Sequence, residues 1–161
     1  MRYKFWAGVG ASILLGLIFL ASGLGKLLSQ EEFLTVIIPK TFLTPFMANL
    51  VAHWLPWVEV VLGFLLIFGI ASKLMASLST VLTIAFIVNN SWLISHGLGY
   101  EPCGCFGTFE RMFLGELSTI ESLYLDIGLL ALIAVIWLFY PRNPLAIRPW
   151  FIEKPGTTGN E

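Results

Sequence analysis

The sequence predicts an all-α membrane protein, a bundle of four transmembrane helices. Three observations carry that expectation. The 161-residue chain is 57% hydrophobic and 12% charged, with mean hydropathy +0.85, where soluble domains carry roughly 25% charged residues. Four stretches reach the ~20 apolar residues that cross ~30 Å of hydrocarbon. Helix stop and start signals fall between those stretches. The length suits one membrane domain over 1–161.

The first span is expected over about 6–28, with no charge between Lys4 and Lys26. "MRYK" and "LASG" also resemble a signal peptide. The run is long for that role, and Gly8, Ser12 and Gly16 recur every four residues, as helix packing in a bundle demands. The span is therefore expected to be retained. The second span is expected over about 48–70, with one charge, Glu59. Thr44-Pro45 reads as an N-cap followed by proline at the first helical position. Pro56 leaves two readings open: a helix that kinks there, or a short interfacial helix that ends there with the span beginning at Pro56. The third span is expected over about 73–96. Only "ASK" at 71–73 separates it from the second, so the two should pack as an antiparallel hairpin. The fourth is expected over about 120–140. Ser118 and Glu121 form a capping box before it, and Pro141 and Pro144 stop it. The segment 141–161 ends in "KPGTTGNE" and is expected to be a partly disordered tail.

Basic residues set the orientation. One side of a four-span bundle holds Arg2, Lys4, Lys73, Arg142, Arg148 and Lys154, and the other holds Lys26, Lys40 and Arg111. Both termini should therefore be cytoplasmic. The net charge of −1 and the absence of a Lys/Arg cluster give no case for nucleic-acid binding.

The loop between the third and fourth spans, then extracytoplasmic, reads "EPCGCFG" and holds the only cysteines, Cys103 and Cys105. Disulfides form and persist on that side. Two residues span at most about 7 Å and a disulfide needs Cα atoms roughly 4.4–6.8 Å apart, so the pair can close if Gly104 bends the backbone. So small a ring offers little entropic stabilisation. The pair suits a labile couple cycling between dithiol and disulfide better than a strut. The alternatives are two buried thiols that merely pack, or a copper or zinc site with His96 as a third ligand. In the metal reading the chain would be a non-catalytic anchor or assembly subunit.

Ionisable groups within spans are functional candidates. Ser22 and Lys26 lie near the end of span one, Asn89 and Asn90 late in span three, and Asp126 early in span four. Asn89 and Asn90 point about 100° apart on a helix, so one of them at most faces a given site. Lys26 either snorkels to the interface or, if span two begins at Pro56, pairs with Glu59. A helix beginning at Pro45 or Ala48 would instead put Glu59 near mid-membrane. Asp126 either joins a site or is a solvated carboxylate at a helix N-terminus. Trp54, Trp57 and Trp92 read as interface belt or packing.

"FLASGLGKL" at 19–27, "PWVEVVLG" at 56–63 and "CGCFG" at 103–107 resemble the MauE family of methylamine-utilisation membrane proteins, within the wider DoxX-like group. The resemblance covers about 6–140 and implies a four-helix bundle in the bacterial cytoplasmic (inner) membrane. It also implies thiol redox work: MauE is associated with maturation of a disulfide-rich periplasmic dehydrogenase subunit, and DoxX-like relatives with sulfur oxidation and quinone reduction. By motif match it carries over Ser22, Lys26, Glu59, Cys103 and Cys105. The expected role is a membrane thiol-disulfide oxidoreductase with Cys103, Cys105, Glu59 and Lys26 as its working residues. Ser22, Asn89, Asn90 and Asp126 are candidate contacts for a quinone. The expected partners are the lipid bilayer and an extracytoplasmic thioredoxin-like or disulfide-containing protein, within a homo- or hetero-oligomer.

Overall fold

The computed structural model describes residues 2–31, 34–35, 43–101, 115 and 117–139. Within them run four long helices: α1 (Arg2–Leu28), α2 (Pro45–Phe68), α3 (Ser72–Ser95) and α4 (Thr119–Phe139). All four are long and apolar enough to cross a membrane. The chain is a multi-pass membrane protein in contact with lipid. The tail and the Cys103–Cys105 turn lie outside the described residues.

Local chemistry explains the boundaries. Thr44 precedes α2 in an extended conformation with Pro45 behind it. The expected side-chain cap is not made; the Thr44 carbonyl instead accepts from the Ala48 N–H at 2.8 Å. α2 passes through Pro56 without a break, which removes the interfacial-helix reading. Gly69 ends it at φ 70°, with Ile70 N–H on the Leu65 carbonyl at 3.0 Å and Gly69 N–H on Leu66 at 3.2 Å. Those are the two bonds of a Schellman turn, and the positive φ suits glycine. The Ser118–Glu121 capping box is present. Ser118 N–H and Oγ–H both donate to Glu121 Oε2, at 2.8 and 2.9 Å.

The α2–α3 hairpin is formed, yet these two helices share the slightest of the main packing interfaces. The extensive contacts are α1 on α2, α3 on α4 and α1 on α4. Small residues decide the first of these. A Cβ on Gly16 would lie 2.7 Å from the Gly63 carbonyl oxygen, and one on Gly63 2.8 Å from that of Gly16. One on Gly23 would lie 2.8 Å from the Pro56 carbonyl oxygen. Ser12 Oγ–H also donates to the Leu66 carbonyl at 2.8 Å. The two backbones therefore touch, and the register is antiparallel: 12 against 66, 16 against 63, 23 against 56. Extended to Leu28, that register lets about the first two turns of α2 run past the end of α1.

The bundle has two unlike halves. The apolar core gathers Val9, Leu15 and Phe19 of α1, Leu66 of α2, Ala76 of α3, and Ile133 and Ile136 of α4. Most of these lie toward the α1 N-terminal end. The buried charges lie toward the other end.

The Gly16–Gly63 crossing yields a prediction. Gly16→Ala has no room and should destabilise the protein by about 1–3 kcal/mol, read as a lower unfolding temperature in detergent. Gly10→Ala, whose added carbon meets nothing within 4 Å, should leave that temperature unchanged or raise it.

Candidate functional site: a buried ion pair near one end of the bundle

Lys26 and Glu59 meet inside the bundle. Lys26 Nζ donates to Glu59 Oε1 at 2.6 Å, to Oε2 at 2.8 Å and to Ser22 Oγ at 2.8 Å. Ser22 Oγ–H donates in turn to Glu59 Oε2 at 3.1 Å. Lys26 is 1% exposed and Glu59 fully enclosed. The Phe86 ring of α3 lies 5.0 Å from the ammonium and offers it a π face.

Side-chain direction makes the pair. Helical side chains lean toward the N-terminus of their own helix. Lys26 therefore reaches back one turn to Ser22, and Glu59 of the antiparallel α2 leans toward it. The expectation that pairing requires a helix starting at Pro56 is corrected: α2 starts at Pro45 and the pair still forms. The snorkelling alternative for Lys26 is also corrected, because the side chain runs into the bundle instead of out to the interface.

Across from the pair, Asn90 Nδ2 donates to Asp126 Oδ2 at 2.9 Å. Asn90 is buried and Asn89 only partly so, so one of the two adjacent asparagines faces this site. Asp126 is buried too, which replaces the solvated-carboxylate alternative. A small cavity of about 30 Å³ lies between the two groups, lined by Ile18, Phe19, Ser22, Lys26, Glu59, Phe86, Asp126 and Leu129. That is space for a water or two.

The site lies at a definite depth. Ser22 is six residues from the end of α1, Asn90 five from the end of α3, and Asp126 seven from the start of α4. At 1.5 Å per residue, each is about 8–10 Å from the same end of the bundle. That end carries the roots of the 102–118 segment, and the roots are fastened together. The Glu101 carbonyl accepts from Thr119 N–H at 3.1 Å and from Thr119 Oγ1–H at 2.9 Å. The Gly99 carbonyl accepts from Ile120 N–H at 3.2 Å. Both ends of the cysteine-bearing segment are thus pinned above the buried charges.

His96, the candidate third metal ligand, stands exposed near the same roots. Its ring stacks on Trp92 at 4.1 Å, and its Nδ1 lies 2.9 Å from the Trp92 carbonyl oxygen. Among the described residues no three His, Cys, Asp or Glu side chains gather as a metal site would require. Phe86 is the site residue that the sequence did not single out. Its signal was there: it sits one turn before Asn90, on the same helix face.

Four membrane-spanning helices around a buried lysine–glutamate pair define a polytopic bundle with a polar site toward one end. The chain belongs to the MauE family: the family model described as methylamine utilisation protein MauE matches residues 4–140. No curated protein and no solved structure matches it.

Removing one partner of a buried ion pair strands the other charge, at a cost of about 3–5 kcal/mol. Lys26→Met should therefore destabilise the protein by about that amount in detergent unfolding. Lys26→Met with Glu59→Leu should recover most of the loss, since a well-packed apolar replacement is often neutral. Simple additivity of the two single effects would show that the groups do not depend on each other.

Proposed function

We propose that this protein is a membrane thiol-disulfide redox protein in which Cys103 and Cys105 cycle between dithiol and disulfide on the extracytoplasmic face. The observation that carries this reading is the fastening of Glu101 to Thr119. It draws together the two points from which the cysteine-bearing segment leaves the bundle, at the end where the Lys26–Glu59 pair is buried and which the distribution of basic residues assigns to the outside. The Cys-Gly-Cys spacing and membership of the MauE family support it.

In the exchange, the Cys103 thiolate attacks a partner's disulfide and forms a mixed disulfide, and the partner's second sulfur leaves as a thiolate. Cys105 then attacks Cys103. The Cys103–Cys105 bond forms, the mixed disulfide breaks, and the partner departs as a dithiol. Two electrons pass to the partner and the two cysteine protons must be placed. The reverse sequence introduces a disulfide into the partner. Lys26 and Glu59, with Ser22 between them, are assigned to the charged floor of the site that manages those protons. The partner is a thioredoxin-like or disulfide-containing protein of the bacterial periplasmic side, consistent with disulfide maturation. One dithiol does not make a complete relay, so a second redox group must come from a partner.

Labelling with a maleimide that does not cross the bilayer tests this in intact membranes. The expected result is labelling of Cys103 and Cys105 from outside, after mild reduction only. Free labelling without reductant together with stoichiometric copper or zinc would favour the metal-binding anchor. Cys105→Ala should also trap a mixed disulfide with the natural partner. No adduct from either Cys105→Ala or Cys103→Ala would overturn the exchange mechanism.

A further inference from the structure

The site encloses more acid than base. Facing the cavity from α1 are Ser22 and Lys26, from α2 Glu59, and from α4 Asp126 itself. From α3, Asn90 holds Asp126 by its amide. Among the described residues that is one ammonium against two carboxyls. Three donor bonds of Lys26 go to Glu59 and Ser22, whereas the bond to Asp126 Oδ2 comes from an uncharged amide. The rest of the wall is Ile18, Phe19, Phe86 and Leu129. A second carboxylate in such a wall is costly, and the Asn90 amide and the charge of Lys26 offset that cost only in part.

We propose that this cavity is a proton-binding site, in which Asp126 takes up and releases one proton to water held between it and the Lys26–Glu59 pair. The step balances simply. The Asp126 O–H bond breaks, the cavity water relays the proton to a base in bulk solvent, and the carboxylate that remains is held by the Asn90 amide and the field of Lys26. Uptake runs the reverse way, and the Lys26–Glu59 pair stays intact throughout. A proton suits the site better than a metal cation. Hard cations take about six or more oxygens, and the wall supplies only those of Ser22, Glu59 and Asp126, beside a lysine that repels cations. The inference stands on the cavity's charge and geometry and does not rest on the cysteine chemistry.

Asp126 is the only aspartate in the chain, so the native protein can be tested without substitution. Cell-free synthesis into lipid nanodiscs, with aspartate carbon-13 labelled at its side-chain carboxyl, gives a single reporter for nuclear magnetic resonance. The expected result is one signal that moves reversibly from the protonated to the ionised position as pH rises, within the range where the protein stays folded. Glu59→Gln should move the midpoint by roughly one pH unit or more, because it removes the neighbouring charge and releases Lys26. A signal fixed at either position through the folded range would overturn the proposal. So would a signal that responds to sodium at constant pH and not to pH itself.

Discussion

A lysine ammonium and a glutamate carboxylate survive inside a hydrocarbon layer only if they find each other. That requirement organises this bundle. α1 and α2 must approach until their backbones touch, which is why Gly16, Gly23 and Gly63 stand at the crossing. The register those glycines set places Lys26 one turn beyond the level at which it pairs, and the backward lean of its side chain closes the gap. Ser22 sits in that gap and bonds to both partners. The apolar core then occupies the half of the bundle that the charges leave free.

The second constraint acts on the loop. Thr119 is a buried residue at the first position of α4, and both its backbone N–H and its hydroxyl go to Glu101. This satisfies one of the orphan donors at a helix start. It also closes the mouth of the segment that contains Cys103 and Cys105. The roots of that segment and the buried charges thereby lie toward one end of the bundle, with Asn90 and Asp126 at the same depth as Ser22.

Much of the fold was legible in the sequence, for physical reasons. Span length and hydropathy report directly on the bilayer. Pro45, Ser118 with Glu121, and the small residues of α1 are local signals whose partners lie within a turn or on one face. The proposed site was legible as a set of residues but not as an arrangement. Lys26 lies near a helix end, where sequence logic sends a lysine outward. Glu59 lies fourteen residues into α2, where the same logic isolates it. Only the interhelical register resolves that conflict, and register is a tertiary property carried by glycines far along the chain. Likewise Asn90 and Asp126 were visible as two polar residues in apolar helices. That they bond to each other across a cavity facing the ion pair depends on how α3 and α4 rotate against α1.

On the proposed reading the buried charges serve the chemistry of Cys103 and Cys105 and are more than helix glue. That reading is tested most directly by the rate at which glutathione disulfide oxidises the reduced Cys103–Cys105 pair in nanodiscs, compared between the native protein and the folded Lys26→Met, Glu59→Leu double variant. The account predicts a rate lower by roughly a hundredfold, the scale of lost acid–base assistance, with helical content and unfolding temperature preserved. Equal rates in the two proteins would contradict it and leave the ion pair a purely structural element.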